Sequence, residues 1–326
     1  MKEVKVPFVY DAVVGVSVNS EFELIVKDTL GPKKELDMSL CPCPSGSSGN
    51  TDGAIRILGG NSHLLGLVEV NYGQEEEALE SLLLKRVVKQ SGASFTPIPV
   101  LSNTNIAAIP IVEGKNGEVW GKKGQVVPST VPQALQILAG PEIGIGPQTF
   151  VTITGLRIAE MLFAEALLSQ AQPGFRVLNA KEYFCASRVF KKILSLVDLL
   201  VLNRREFQAT GVGIRGLHDL GPKVIVVTDA EYGGMFSIMT NNFPIGYNHP
   251  ISVGYSPVYF PGGKYETGAG DWFLGALISE LIRLEKSVNA IGWKEFLEVV
   301  NFSARVAGKK VTIPGGGNGP SRLELL

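Results

Sequence analysis

Four consecutive residues, Gly268-Ala269-Gly270-Asp271, combine the residue types needed to bind an anion and to move a proton. Small residues let the backbone come close to a ligand, and the first amides of a helix have no partner within that helix. Such amides, together with the helix dipole, favour an anionic group. Asp271 adds a carboxylate that could accept a proton from an attacking hydroxyl. The same pattern also fits an ordinary capped helix start, so these four residues alone leave both interpretations open.

The element that must position Asp271 is the run that follows it, residues 272–284. This run reads WFLGALISELIRL, which is long enough for a helix and apolar on almost every face. A helix of that kind is buried on all sides. The sequence therefore predicts that Asp271 stands at the start of a helix fixed inside the protein.

A second polar group follows another apolar run, residues 199–202. Asn203 and Glu206 are three residues apart, so on a helix they would share one face. The glutamate could hold Mg²⁺ through water and the asparagine could reach phosphate oxygens, but the pair also fits an N-cap with an acidic first turn. Thr228 ends the next predicted strand and adds a polar group at the same edge, where α/β sheets bind ligands.

The other motifs provide weaker evidence of a functional site. A G-x-G-x-x-G at residues 211–216 follows a predicted helix rather than a strand, which indicates a chance match to the dinucleotide fingerprint. The histidines lack a nucleophile or metal-ligand context and are predicted to have a surface or structural role: His63, His218 and His249. The cysteines do not have zinc-site spacing and are predicted to be free thiols: Cys41, Cys43 and Cys185.

The composition indicates a globular protein of 326 residues, with 45% hydrophobic and 19% charged residues and a net charge of −1. Dispersed charge of this kind predicts neither nucleic acid nor a membrane as a partner. No apolar run is long enough to span a bilayer, and no signal peptide is recognisable. With free thiols expected, these features predict a cytoplasmic protein.

Alternating strand and helix patterns from residue 150 onward predict a parallel sheet with helices on both faces. The strands are predicted at 9–18, 21–27, 64–70, 94–101, 150–153, 176–178, 199–202, 223–228, 233–239 and 257–260, the last two possibly antiparallel. Helices are predicted at 50–58, 74–90, 157–169, 187–196, after 203, and at 293–307. Residues 28–48 are predicted to be a loop, and 106–112 with 118–120 a hairpin around its Asn-Gly turn.

Taken in this order, the motifs resemble the ribokinase-like (PfkB) family of sugar and nucleoside kinases. The resemblance rests on segments 14–21, 45–60, 106–120, 203–206, 224–234 and 268–271, whose order and spacing extend over nearly the whole chain. It implies an α/β fold, a three-layer sandwich with a mainly parallel central sheet flanked by helices. It also implies one domain over residues 1–326, with a small β-sheet lid inserted from about 19–44 and 104–126.

The family resemblance implies transfer of the γ-phosphate of ATP to an alcohol group such as CH2OH, with Mg²⁺. Asp271 would be the general base, and the backbone of Gly268, Ala269 and Gly270 would complete the anion hole. The other implied roles are acceptor binding by Asn19, Glu21, Gly46 and Asn50, nucleotide binding by Asn203, Thr228 and Asn301, and Mg²⁺ binding through water by Glu206. A homodimer paired through the lid edges is also expected.

The chain departs from the family pattern at several positions: Glu21 replaces Asp, Ser47 replaces Lys, and Asp229-Ala230 replace an apolar residue and Gly. Tyr265-Glu266-Thr267 stand where the family has Asp-Thr-Thr, which leaves activation by a monovalent cation doubtful. A sugar or sugar acid is the first expected acceptor and a nucleoside the second. A member that binds nucleotide or sugar without turnover is the remaining alternative.

Overall fold

The computed structural model of the chain describes residues 9–16, 19–27, 35–40, 44–69, 79–100, 105–112, 115–116, 120–122, 131–240, 249–263 and 265–325. Its strands, numbered in chain order, are β1 (Ala12–Val16), β2 (Asn19–Lys27), β3 (Glu35–Leu40), β4 (Ser62–Glu69), β5 (Ser94–Val100), β6 (Asn105–Val112), β7 (Lys115–Asn116), β8 (Trp120–Lys122), β9 (Phe150–Leu156), β10 (Arg176–Ala180), β11 (Leu199–Asn203), β12 (Val224–Thr228), β13 (Gly234–Thr240) and β14 (His249–Tyr255). Its α-helices are α1 (Gly46–Ile57), α2 (Leu79–Ser91), α3 (Val131–Leu138), α4 (Met161–Leu168), α5 (Glu182–Cys185), α6 (Arg188–Ile193), α7 (Arg204–Ala209), α8 (Ile214–Asp219), α9 (Ala269–Arg283) and α10 (Trp293–Lys310).

The central sheet has nine strands in the order β14-β13-β12-β11-β10-β9-β1-β4-β5. Every pair from β5 to β12 is parallel, whereas β13 and β14 are added in antiparallel register. The mainly parallel sheet predicted from the sequence is therefore confirmed. Because the strands are parallel, their carboxyl ends meet along one edge, where ligands of such sheets bind.

Both faces of the sheet are covered by apolar layers. Along β1 the side chains alternate, so that Val13 packs with α4 residues such as Phe163 while Val14 packs with α9 and α10 residues such as Leu277 and Val300. This alternation follows from the two-residue period of a strand. Helices therefore lie on both sides of the sheet, and α9 packs against both α1 and α10, as its all-round apolar sequence predicts.

The last strand lies earlier than predicted. The prediction of a strand at 257–260 is wrong, because β14 ends at Tyr255. In the antiparallel ladder Tyr255 pairs with Gly234, the first residue of β13, so no partner remains for the residues beyond it. The prediction of a strand at 233–239 is confirmed by β13.

A second sheet of five strands has the order β3-β2-β6-β7, with β8 also paired to β6. The predicted loop at 28–48 is wrong in part, because β3 pairs antiparallel with β2. Its sequence, ELDMSL, alternates polar and apolar residues as a strand does. The predicted hairpin is confirmed by β6 with β7 and β8, although its Gly114 and Gly117 lie outside the described residues. That this sheet acts as a lid stays a prediction.

Several shorter features also bear on the predictions. The sequence patterns did not indicate α3 or α8. Gly213 precedes α8 and follows α7, so the G-x-G-x-x-G does not link a strand to a helix, as expected for a chance match.

Cys185 is buried and free, while Cys41 and Cys43 lie outside the described residues. In the part of the chain that the structure describes, no helix combines the length and hydropathy needed to cross a membrane.

Candidate active site

The turn that opens α9 presents two backbone amides without partners. Gly268 has a φ of +82°, in the left-handed region that glycine adopts without strain, and the amide of Ala269 donates to the Glu266 carbonyl at 3.0 Å. Among the described residues, no acceptor takes a hydrogen bond from the amides of Gly270 and Asp271. These two donors lie at the positive end of the helix dipole, so the turn, residues 268–271, fits an anionic oxygen. We call it the anion-hole turn.

The carboxylate of Asp271 is held by helix α1. The side-chain amide of Asn50 donates to Oδ2 of Asp271 at 2.9 Å, and the Ser47 hydroxyl also donates to this carboxylate. The Thr51 hydroxyl donates to the Asp271 carbonyl at 3.3 Å. One helix thus fixes both the side chain and the backbone of Asp271, which orients its carboxylate for proton transfer.

The surroundings of Asp271 raise its pKa above the ordinary range for aspartate. Loss of hydration around the carboxylate is the main cause. The positive charge of Lys181, the hydrogen bonds from Asn50 and Ser47, and the positive charge of Lys310 act in the opposite direction. A carboxyl group with a raised pKa is a stronger base once ionised, which suits a general base.

Close packing brings α1 and α9 together at this point. A Cβ on Gly275, one turn after Asp271, would lie 2.5 Å from the Ala54 Cβ and 2.8 Å from the Thr51 carbonyl oxygen. Glycine at position 275 therefore allows the two helices to approach. The approach is what places Asn50 within hydrogen-bond distance of Asp271.

Asn50 has a second polar atom, which is buried and lacks a hydrogen-bond partner among the described residues. This atom is Oδ1, and only 4% of the surface of Asn50 is exposed. An unpaired buried carbonyl oxygen is costly, so a donor from a ligand would stabilise it. A hydroxyl group approaching Asp271 is a donor of the required type.

Asn203, Glu206 and Thr228 lie together at the carboxyl ends of two neighbouring strands. Asn203 in β11 pairs with Thr228 in β12, as predicted. Asn203 Oδ1 accepts from the Glu206 amide at 2.9 Å, and Glu206 Oε2 accepts from the Asn203 amide at 2.8 Å. The pair is thus a reciprocal helix cap. The cap uses Glu206 Oε2 and Asn203 Oδ1. Within the described chain, no hydrogen bond is formed by Glu206 Oε1 or by the Asn203 side-chain NH2, so these two groups can contact a ligand.

The carboxylate of Glu206 interacts electrostatically with that of Asp271 in the anion-hole turn. Burial is the main cause that raises the pKa of Glu206, with contributions from the negative charges of Asp271 and Glu182. The hydrogen bond from the Asn203 amide and the charge of Lys181 oppose this rise. Two carboxylates at one sheet edge that repel each other favour binding of a cation.

Lys181 is a site residue that the sequence analysis missed. It directly follows β10 and precedes α5, so it too lies at the carboxyl end of a strand. Its side chain is exposed, and its charge favours the ionised forms of both Asp271 and Glu206. The rule that sheet edges carry the chemistry, applied to the strand at 176–178, would have found it.

The remaining predicted residues are less closely connected to this site. Gly46 is the first residue of α1 and has a φ of +76°. Asn19 and Glu21 lie in β2, opposite Asn105 and Ala107 of β6, and their side chains are outside the described part. Asn301 is on the exposed side of α10, and no described hydrogen bond joins it to the other predicted residues.

The residues present fit a nucleotide phosphate and a hydrated divalent ion. The two unpaired amides of the anion-hole turn suit phosphoryl oxygens, and Lys181 adds a positive charge beside them. The described residues contain no group of three or more His, Cys, Asp or Glu side chains arranged to hold a metal ion. A Mg²⁺ ion that keeps most of its waters needs only one or two protein carboxylates, which Glu206 can supply.

The departure at Asp229 also has a structural consequence. Arg204 Nη1 donates to Asp229 Oδ2 at 2.6 Å, which joins the first residue of α7 to the turn after β12. The pair is partly exposed, so it contributes little to stability. It does fix the turn that follows Thr228.

Comparison with known proteins gives structural matches only. No family model matches the sequence, and no curated protein does so. A ribokinase from Giardia lamblia superposes with a TM-score of 0.70 at 20% identity, over 96% of this chain and 98% of that one. A nucleoside kinase from Methanocaldococcus jannaschii matches with a TM-score of 0.66 at 16% identity, over 98% and 97% of the two chains. Arabidopsis thaliana ribokinase in complex with ribose and ATP matches with a TM-score of 0.63 at 15% identity, over 98% of each chain. At these identities the likeness establishes the architecture, and the chain has the ribokinase-like fold.

Proposed function

We propose that this protein is an ATP-dependent kinase that transfers the γ-phosphoryl group to an alcohol, such as the CH2OH of a sugar or sugar acid. The observation that carries the proposal is the arrangement at the start of α9. There the Asp271 carboxylate, held by Asn50 at 2.9 Å, stands beside two backbone amides without described partners. A base and an anion site on one helix turn are what phosphoryl transfer to a hydroxyl requires.

In the proposed reaction, Asp271 accepts the proton of the attacking hydroxyl while the oxygen bonds to phosphorus. The amides of Gly270 and Asp271 donate to the oxygens of the group in transfer, where negative charge gathers. ADP leaves with the electrons of the broken P–O bond. A bound Mg²⁺ would neutralise phosphate charge, and Glu206 would hold it through water.

The nucleotide is proposed to be ATP, and its phosphates are assigned to the edge formed by β11 and β12. The Arabidopsis ribokinase complex, which contains ATP, supports this choice. Asn203 and Thr228 are proposed to contact the phosphates, since they are paired in the sheet. Asn301 is proposed to lie beside the adenine.

The acceptor is proposed to bind against α1 and the second sheet. Asn50 Oδ1, which is buried and has no described partner, is proposed to accept a hydrogen bond from an acceptor hydroxyl. Gly46, Asn19 and Glu21 complete the proposed acceptor site. A nucleoside is the alternative acceptor, and the fold shared with a nucleoside kinase supports it.

The second sheet is proposed to close over the acceptor as a lid, excluding water that would otherwise hydrolyse ATP. Its edge strands are proposed to pair with those of a second copy, giving a homodimer. Light scattering tests the dimer directly, and a monomeric mass at micromolar concentration would rule it out.

A non-catalytic role is the second candidate. It is favoured by the substitutions Tyr265-Glu266 and Asp229-Ala230 and by the ion pair that ties Asp229 to Arg204. Such a protein would be stabilised by nucleotide or sugar without releasing ADP.

The deciding experiment measures ADP release with Mg-ATP and a panel of sugars, sugar acids and nucleosides. Wild type is expected to turn over at least one member of the panel. ADP release without added acceptor serves as the background. Thermal stabilisation by ligands without any phosphorylated product would favour the non-catalytic candidate and reject the kinase.

A further inference from the structure

Lys310, the last residue of α10, is a lysine with no exposed surface. Lysine is almost never fully buried unless polar partners compensate for its lost hydration. Here the Nζ atom donates to the Ile313 carbonyl at 2.9 Å. A fixed positive charge is therefore kept inside the protein, at the end of its last long helix.

The segment after Lys310 lies against the anion-hole turn. We call it the C-terminal loop, residues 311–319. The Tyr265 amide, just before the turn, donates to the Val311 carbonyl at 2.9 Å, and Trp272 Nε1, just after it, donates to the Gly316 carbonyl at 3.0 Å. A Cβ on Gly268 would lie 2.7 Å from the Gly316 oxygen. The loop thus supports the turn from both sides.

The Lys310 ammonium lies at the carboxyl end of a helix and contacts a backbone carbonyl oxygen, and both features favour a cation. The carboxyl end of α10 carries the negative end of the helix dipole, and the carbonyls of Lys309 and Lys310 accept from the amides of Thr312 and Ile313 in the loop. Carbonyl oxygens are ligands that hard cations prefer. On the side of the turn, the charge of Lys310 also attracts the ionised carboxylate of Asp271 and offsets part of the rise in its pKa that burial causes.

We propose that the ammonium of Lys310 is a tethered cation that holds the C-terminal loop against the anion-hole turn, so that turnover needs no dissociable monovalent cation. This inference rests on the proposed kinase function and names a positioning residue of the same site. Lys310 does not touch the substrates in this account. It fixes the loop whose carbonyls accept hydrogen bonds from Tyr265 and Trp272, the residues on either side of the turn.

The activity test compares wild type with Lys310→Ala and Lys310→Met in N-methylglucamine, potassium and ammonium chlorides of equal ionic strength. Wild type is expected to have the same kcat in all three salts. Loss of the cation should displace the turn and lower kcat by about 100-fold in N-methylglucamine chloride. In Lys310→Ala, which leaves space, ammonium or potassium should restore much of the loss, whereas Lys310→Met, whose side chain fills the space, should not recover. Lys294→Ala, an exposed position on the same helix, is the matched control.

A stability test separates this inference from the kinase assignment. Ammonium chloride should raise the Tm of Lys310→Ala above its value in N-methylglucamine chloride and leave the Tm of wild type unchanged. This arm needs no acceptor, so it remains decisive even if no substrate is turned over.

Three results would overturn the proposal. One is activation of wild type by potassium or ammonium. Another is full activity of Lys310→Met. The third is failure of Lys310→Ala to respond to ammonium in both activity and Tm, including failure to fold in every salt, which would assign Lys310 to the core alone.

Discussion

The side-chain amide of Asn50 and the Oδ2 atom of Asp271 are 2.9 Å apart, although the two residues are 221 positions apart in the sequence. The hydrogen bond links the first helix of the chain to the helix that carries the anion-hole turn. It favours the ionised form of Asp271, against the rise in pKa that loss of hydration causes. In the proposed reaction, Asn50 would therefore adjust the pKa of the general base and also help to bind the alcohol substrate.

Replacing Asn50 is expected to move the pH dependence of turnover. Asp271 must be ionised to accept a proton, so activity falls as the pH drops through its pKa. In Asn50→Ala the pKa of Asp271 rises further, and the acid limb of the kcat/KM profile moves to higher pH. Loss of a hydrogen bond to a charged group should also lower kcat/KM by about 10–100-fold. Asn61→Ala, at an exposed position, is the control, and an unmoved acid limb in Asn50→Ala would contradict the assignment.

Removing the charge of Lys181 should act on both carboxylates. Lys181→Met is expected to raise the pKa of Asp271 and of Glu206, so the acid limb again moves to higher pH. Because Lys181 is exposed, the shift should be largest at low ionic strength. Lys181→Arg should behave like wild type, since it keeps the charge. A Lys181→Met profile that matches wild type in low salt would remove Lys181 from the site.

The contact between α1 and α9 predicts a strong effect at Gly275. In Gly275→Ala the new Cβ would meet Ala54 and the Thr51 carbonyl at less than van der Waals distance. We expect a loss of about 1–3 kcal/mol in the free energy of unfolding, together with reduced turnover, because the helices that hold Asn50 and Asp271 must separate. Urea unfolding measures the first effect. Gly254→Ala, in β14, whose Cβ would meet only an ordinary contact at 3.8 Å, should lower neither quantity, and an equal loss in the two variants would refute the packing argument.

His63 predicts how stability depends on pH away from the site. It is buried, hydrogen-bonded to Ser94 at 2.8 Å and to Thr96 at 2.9 Å, and loss of hydration lowers its pKa to about 4. The unfolded chain binds the proton near pH 6.5, so the stability that neutral His63 contributes is complete above that pH and is lost as the pH falls toward 4. Between pH 7 and pH 5 this loss is about 2 kcal/mol.

The measurement for His63 is urea unfolding at these two pH values. His63→Gln, which does not titrate in this range, should lose about 2 kcal/mol less than wild type on acidification. An identical loss in the two proteins would show that His63 does not have the lowered pKa.

The sequence predicted the parts of the site whose signal is local. Gly268–Asp271 and Asn203–Glu206 are contiguous or three residues apart, and each directly adjoins an almost continuously apolar run. The main sheet was also predictable, because parallel strands buried on both faces are continuous apolar runs. The strand at 257–260 was misplaced since the register of β14 is set by its partner, Gly234, and not by its own residues.

The features of the site and fold that depend on contacts between residues far apart in the sequence were not predictable. Lys181 and Lys310 are single lysines in unremarkable surroundings of the sequence, and only the fold brings their charges to Asp271. Gly275 looks like a weak point of an apolar helix until Ala54 is placed against it. The strand β3 was hidden within a stretch rich in Gly and Pro, since its alternation is short.

The most direct test of the central claim is the rate of phosphoryl transfer in a single turnover, measured for wild type and for Asp271→Asn with the best acceptor of the panel. The substitution keeps the shape of the side chain and removes its ability to take a proton. We expect the rate to fall by about 10²–10⁴-fold while ATP binding is retained. Asp219→Asn, at an exposed position, should leave the rate unchanged. Transfer by Asp271→Asn at the wild-type rate would contradict the role of Asp271 as the general base.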